Sequence, residues 1–287
     1  NKLIKNAKKV DKFLINYLKK QKKSLLVKPM KYGVLSGGKK IRSTIIFDLG
    51  KIFNISEKKL VNICAAVECI HSYSLIHDDL PCMDNDSLRR GKLSAHKKFG
   101  ESTAILAGNS LLTISFEILS EKSFKISKTN RLKLIHLISK CAGHEGIAGG
   151  QFSDLYFEKK RVPVNKIIEM QIKKTGKLFS FCCLAPVIVS NNNKYFKKFE
   201  KIGEEIGLLF QIADDLIDYN VSTKKAGKKT KKDFKMGKAT LISLLGEKNT
   251  IKYADKLKLN IFKKLKIFGK KAEDLRNTID YILERSR

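Results

Sequence analysis

The sequence predicts an all-α fold, a single-domain helical bundle over residues 1–287 with a central apolar cavity, and three observations carry that prediction. Only four prolines interrupt the chain. Long stretches built from Lys, Leu, Ile and Ala place apolar residues at helical spacing. No stretch reads better as a strand than as a helix, although the isoleucine content would mislead a propensity count.

Lys2 to Lys23 is expected as an amphipathic helix with Leu3, Ala7, Val10, Phe13, Leu14 and Leu18 near one face. Pro29 is expected to break the helical pattern of the next segment. Then comes Tyr32-Gly-Val-Leu-Ser-Gly37-Gly38-Lys39-Lys40-Ile-Arg42, leading into an apolar segment that ends near Ile52. Two glycines suit a tight turn, and a helix starting just after it offers free N–H groups to an anion. Lys39 and Arg42, three apart, are expected on one face. Gly-Gly-Lys by itself is an ordinary turn, and it lacks the spacing of a nucleotide P-loop.

Val61 to Ile76 is almost wholly apolar or small, and an acidic cluster emerges from its end: Asp78-Asp79-Leu-Pro-Cys-Met-Asp84-Asn-Asp86, followed by Arg89-Arg90-Gly91. Acids in a row are ordinarily a solvated loop, but the apolar run before them and the arginines after them argue otherwise. Carboxylates grouped beside apolar surface repel one another unless a cation joins them. Oxygen-only donors favour a hard ion such as Mg²⁺, which binds substrate phosphates besides one or two carboxylates. Arginines alongside offer bidentate contacts to the same phosphates. In an unbroken helix residues six apart point roughly 240° from each other. Pro81 disfavours helix at Leu80, so the helix should loosen after Asp79 and let Asp84 swing back towards Asp78.

Glu101 to Leu119 and Asn130 to Gly146 read as two further helices. Gly149-Gly150-Gln151-Phe-Ser-Asp154 allows close packing or a kink, and Pro163 suits the start of the segment that carries Lys174-Thr175-Gly176. Taken alone, Lys174 is one solvated lysine among many. In Phe199 to Tyr219 no proline intervenes, so Asp214 and Asp218 lie four apart on one helical face, with Gly203 and Gly207 permitting a close neighbour. A lysine-rich flap runs from Thr223 to Lys238, and Leu241 to Arg287 suggests two or three short helices, the last from Ala272 to Arg285. The two acidic clusters are expected to face each other across the cavity.

Composition limits the function classes. The 59 basic and 28 acidic residues leave a formal net charge of +31, which suits nucleic acid, anionic membrane or a polyanionic substrate. The lysines are spread along the whole chain and no RNA-binding signature interrupts them, so the excess reads as compositional bias and no nucleic-acid partner is expected. No window approaches eighteen consecutive apolar residues, and the lysine-rich start lacks the apolar core of a secretory signal, so no stable membrane insertion is expected. The chain opens on Asn1, so a few preceding residues are expected. Cys64, Cys69, Cys82, Cys141, Cys182 and Cys183 form no C-x-x-C pair and are expected as buried thiols in a reducing compartment.

Two acidic clusters, an arginine pair, a Gly-Gly-Lys-x-x-Arg turn and a lysine flap exceed the needs of one phosphate group. They suit two diphosphates and several Mg²⁺ ions over an apolar pit, a site able to ionise an allylic diphosphate and shield the carbocation from water. At these residues the chain resembles the trans-isoprenyl diphosphate synthases, of the bacterial farnesyl diphosphate synthase type. The family's D-D-x-x-x-x-D motif is matched by Asp78, Asp79 and Asp84, and its D-D-x-x-D motif by Asp214, Asp215 and Asp218, with R-R-G after the first and F-Q before the second.

The resemblance implies the isoprenoid synthase bundle, a homodimer, a cytoplasmic enzyme and about three Mg²⁺ ions per substrate-filled site. It makes Asp78, Asp84 and Asp214 the principal metal ligands, supported by Asp79, Asp215 and Asp218. Gly38, Lys39, Arg42, His71 and Arg90 would hold isopentenyl diphosphate. Arg89, Lys174, Thr175, Gln211, Lys228 and Lys238 would hold the allylic diphosphate, with Lys174 and Lys238 also assisting its departure. A lone histidine such as His71 is ordinarily a satisfied core residue, the reading kept for His77 and His96, but its place in the motif assigns it to the isopentenyl site. Tyr73 and Ser74, about one turn before Asp78, would set product length, a bulky Tyr73 stopping growth at farnesyl diphosphate. Cys82 and Asn85 also resemble geranylgeranyl-forming relatives, which keeps that product as the alternative. Ser43 stands where the family usually has Pro, and the flap from Lys228 to Asp233 has extra lysines. A terpene cyclase would share the ionisation but would not need the second diphosphate site. A basic polyanion-binding protein would explain the charge and leave the acidic clusters unexplained.

Overall fold

The computed structural model describes residues 2–21, 24–225 and 240–285. Its residues are almost entirely helical, in line with the all-α expectation, and they group into two compact units. The first comprises Asn1–His136 and Ile188–Ser190, the second Leu137–Val187 and Asn191–Arg287.

In the first unit, α1 (Lys2–Lys20), α2 (Val27–Val34), α3 (Ile41–Ile52) and α6 (Glu101–Ser120) surround α4 (Glu57–Asp78). α4 is buried on every side: Leu60, Ile63, Val67, Ile70 and Ile76 are all in the core, as are Cys64 and Cys69. Each such aliphatic side chain contributes roughly 1.5–3 kcal/mol by leaving water. That rigid rod is what delivers Asp78 to its position.

The structure departs from the sequence pattern at several points. α1 stops at Lys20 and buries Asn6 and Tyr17 besides the predicted stripe, while Phe13 stays half-buried. Pro29 does not break α2; it is the third residue of that helix, where a missing N–H leaves no hydrogen bond unmade. Lys39 lies outside α3 and is exposed, so it shares no helical face with Arg42. Leu88–Arg89 (β1) and Lys92–Leu93 (β2) form a small antiparallel hairpin that helical patterning does not foresee. Its turn residues Arg90 and Gly91 both have positive φ, 52° and 74°, as a type I′ turn requires.

Counting uninterrupted apolar runs also undervalues two helices. By length and composition α4 and α6 could cross a membrane, but 72% of the α4 window is spent inside the core. α6 buries 44% of its own and leaves Ile105 and Leu106 exposed. α5 (Ala95–Phe99) precedes α6, and α7 (Lys128–Ala142) follows it.

The second unit is built on α11 (Phe196–Lys225). Against it lie α9 (Val164–Gln171) and α10 (Lys177–Val189), joined by a π-helical turn at Ile172–Gly176, and α8 (Ile147–Phe157) packs on α9 and that turn. Pro163 occupies the N-cap of α9. After α11 come α12 (Leu241–Leu245), α13 (Glu247–Leu265) and α14 (Glu273–Glu284). α13 has 19 residues, longer than expected, whereas α14 falls where the last helix was predicted. A capping box between Thr240 and Ser243 starts α12. The thiols are free, and five of them are buried, but Cys82 is exposed in the loop after α4.

Candidate active site

The first aspartate motif sits where α4 ends. Asp79 caps the helix, and beyond it the chain folds back. The Asp84 N–H donates to the Asp78 carbonyl at 2.9 Å and the Asp86 N–H to the Asp79 carbonyl at 3.1 Å. Asp84 is thereby returned to Asp78, the swing that Pro81 predicted. Asp78 and Asp84 are half-exposed, whereas Asp79 is 2% exposed. Arg89, reaching back from β1, donates to the Asp79 carboxylate through Nε at 3.0 Å and through Nη2. Burial disfavours the charged guanidinium, but Asp79, Asp78 and Asp84 outweigh it and hold the Arg89 pKa above its usual value.

Arg90 folds back onto the Gly37–Gly38 turn. Both glycines have positive φ, 89° and 99°, and Lys40 adopts a left-handed conformation just before α3. Arg90 Nη1 donates to Ser36 Oγ at 3.2 Å and to the Gly37 carbonyl. A Cβ on Gly38 would stand 2.7 Å from Arg90 Cζ, so only glycine lets the guanidinium lie against this turn. Arg42 is buried in the first turn of α3. Burial pushes the His71 pKa well down, and Arg42, Arg90, Lys40 and Arg89 push it further, so the imidazole is neutral. Gly38, Arg42, His71 and Arg90 thus share one electrostatic neighbourhood.

A folded-state pKa below the unfolded value means that the unfolded chain binds the extra proton at low pH. Stability should therefore fall as pH drops below about 6.5, by up to about 1.4 kcal/mol per pH unit for this group. A His71→Gln variant should lose that share of the slope, and urea denaturation on either side of that pH measures it.

Tyr73 is 8% exposed and meets His77 edge-on at 5.7 Å. Burial and then Asp78 push its hydroxyl up to about 12, so it stays neutral. Ser74 Oγ donates to the His71 carbonyl at 3.0 Å. His77 bonds the Ile105 carbonyl at 3.1 Å and fills the space over Gly108, and His96 bonds Ser94 at 3.1 Å; both serve packing.

In the second unit α11 carries the second motif. Asp214 is half-buried and Asp218 exposed, four residues apart on the helix, while Asp215 is buried. Asp215 accepts from Gln211 Nε2 at 2.9 Å and from Gln171 Nε2 at 3.4 Å. Thr175 Oγ1 in turn donates to Gln211 Oε1 at 3.1 Å. Lys174 pairs with Asp154 of α8 at 2.6 Å, so it is no isolated solvated lysine. The π turn brings Lys174 and Thr175 onto this network, and it is crowded by glycines. A Cβ on Gly207 would strike the Gly176 backbone, and one on Gly150 the Lys174 backbone. π turns of this kind occur frequently at functional sites.

Three residues that sequence spacing left without a role are tied to the motifs by the fold. Arg285 pairs with Asp214 at 2.8 Å and lies 4.2 Å from the centre of the Phe210 ring. Asp154 and Gln171 support Lys174 and Asp215. Only Asp154 had a signal, its place one turn after Gly150 on α8. Lys228 and Lys238 lie outside the described residues.

Among the described residues no three His, Cys, Asp or Glu side chains gather into a metal-sized cage. Mg²⁺ needs none, because it takes one or two carboxylates and completes its shell with water and substrate phosphate. Half-exposed Asp78, Asp84 and Asp214 fit that requirement, with oxygen the only donor atom.

Comparison with known proteins agrees with this chemistry. A family model described as "Polyprenyl synthetase" matches residues 23–281. The farnesyl diphosphate synthase of Escherichia coli is 38% identical over 91% of this chain and 90% of its own length. An FPP/GFPP synthase structure from Zymomonas mobilis superposes with a TM-score of 0.88 at 37% identity, covering 98% of this chain and 97% of that one. A geranyltransferase from Helicobacter pylori, solved with magnesium and isoprenyl diphosphate, gives a TM-score of 0.82 at 30% identity, covering 98% and 95%.

Proposed function

The chain belongs to the polyprenyl synthetase family, and on that footing we propose that it condenses isopentenyl diphosphate with dimethylallyl or geranyl diphosphate to give farnesyl diphosphate and pyrophosphate. The observation that carries this reading is the convergence of Gly38, Arg42, Arg90 and a neutral His71 beside the first aspartate motif. A terpene cyclase has no use for that second diphosphate site.

In this reading the C–O bond of the allylic diphosphate breaks heterolytically and its electron pair leaves with the diphosphate. The isopentenyl double bond attacks the cation, and released pyrophosphate accepts the proton that is lost. Asp78, Asp84 and Asp214 would hold Mg²⁺, whose charge stabilises the departing diphosphate when bound. Lys174, Thr175 and Gln211, with Arg89, Lys228 and Lys238, orient that same diphosphate. Asp79 positions Arg89, and Asp215 positions Gln211, through the bonds described above. Neutral His71 donates an N–H to the isopentenyl diphosphate without adding a charge, and Arg42, Arg90 and Lys39 supply the charge. Tyr73 floors the apolar pit.

One synthase domain over 1–287 acting in the cytoplasm as a homodimer completes the reading. Exposed Ile105 and Leu106 on α6 support an apolar contact between copies, and light scattering in solution tests it.

The deciding experiment is product analysis with labelled isopentenyl diphosphate, Mg²⁺ and either allylic primer. Farnesyl diphosphate is expected, and Tyr73→Ala should shift most of the product to longer chains. A geranylgeranyl product from the unaltered protein would overturn the chain-length assignment. Absence of any elongation by the folded protein would overturn the enzyme reading itself.

A further inference from the structure

Beneath the basic turn lies an acid that the reaction does not use. Glu68 is on α4, 4% exposed, one turn before His71 on the same helical face. One of its oxygens accepts from Ser43 Oγ at 2.7 Å, and Ser43 directly follows Arg42 on α3. Ser43 is itself completely buried, and its carbonyl accepts from Cys64 Sγ at 3.6 Å. Two residues assigned to the isopentenyl diphosphate are therefore chain neighbours of this buried bond.

We infer that Glu68, oriented by Ser43, is a positioning residue for the isopentenyl diphosphate subsite. It supplies the fixed countercharge that keeps the basic cluster assembled before the substrate arrives. The inference rests on the subsite reading above.

Cations gathered around a neutral imidazole repel one another unless anions stand among them: Arg89 has Asp79, and Lys40 has Asp11 at 3.2 Å. Burial pulls the Arg90 pKa down, and the Glu68 carboxylate is the group that pushes it back up. A countercharge below the cluster offsets the repulsion on the Arg90 guanidinium, which stays charged throughout, and favours its place against the Gly37–Gly38 turn. It also reduces the rearrangement needed on binding, which is how preorganisation raises affinity. Because Glu68 touches no reacting atom, its effect falls on isopentenyl affinity and leaves the ionisation step alone. A merely structural α3–α4 link would instead lower stability with no preference between substrates.

Steady-state kinetics on the purified enzyme, with each substrate varied in turn, separates these outcomes. Glu68→Gln should raise the KM for isopentenyl diphosphate about tenfold while kcat and the allylic KM stay within about twofold. Ser43→Ala, which leaves the carboxylate in place, should raise the same KM about threefold, and the double variant should be no worse than Glu68→Gln alone. Should Glu68→Gln fail to fold, Ser43→Ala carries the test. Lys39→Ala serves as the reference. If it leaves the isopentenyl KM unchanged, the subsite reading falls. If it raises that KM while Ser43→Ala and Glu68→Gln do not, or shift both KM values equally, the positioning role is overturned and the subsite stands.

Discussion

Replacing Asp78 or Asp214 with Ala should lower kcat by at least about 10³-fold while the circular dichroism spectrum and thermal midpoint stay close to those of the parent. The scale follows from removing charge stabilisation aimed at a departing group, where one lost donor already costs about 10²–10³-fold. Both carboxylates are half-exposed, so their loss creates no cavity. Asp79 provides the contrast. It is buried beneath Arg89, and Asp79→Ala leaves a partly buried guanidinium without its principal partner. That variant should lose about 3 kcal/mol of stability besides activity. Combining Asp78→Ala with Asp214→Ala should abolish turnover in a folded protein. Measurable turnover by the double variant would sink the assignment of these residues to the metal. Asp214→Ala also releases Arg285, so a control with Arg285→Ala separates loss of the ligand from loss of the ion pair.

The second large effect concerns a residue with no side chain. Gly207→Ala places a methyl group into the backbone of Gly176, which cannot rotate away as a side-chain tip would. α11 and the π turn must separate, and a loss of about 3 kcal/mol in urea denaturation is expected. The separation also strains the Thr175–Gln211 bond, so kcat/KM should fall with it. Gly33→Ala is the matched control, because its methyl group meets side chains and no backbone: Cδ1 and Cγ1 of Ile76 at 2.5 and 3.3 Å, and Cδ1 of Leu111 at 3.7 Å. Equal stability of the two variants would refute the backbone-contact argument.

These contrasts also mark what the sequence could disclose. The apolar run of α4, the proline that ends it and the i,i+4 aspartates of α11 are local signals, and each appears in the structure as read. Pro29 misled because a proline in the first turn looks the same in sequence as one that breaks a helix. The hairpin at Arg89–Lys92 was missed because its strands are two residues each, too short for any period to register. The partners of Asp79, Asp215 and Lys174 depend on which helices meet, information that single-residue spacing does not hold. Glu68 was overlooked because a lone acid in an apolar helix has no motif around it, only a tertiary partner 25 residues away.

The π turn between α9 and α10 has a genetic consequence. Such a turn holds one residue more than a regular helix needs, so removing any one residue from 172–176 would let α9 and α10 join as an unbroken α-helix. The join would leave α9 and α10 in phase with each other, because the wide turn already absorbs the extra residue. What would be lost is the turn itself, and with it the placement of Lys174 against Asp154 and of Thr175 against Gln211. A one-codon deletion at 172–176 should therefore spare the helices and cost the site, whereas the same deletion inside α10 would turn everything after it by about 100° and cost the fold.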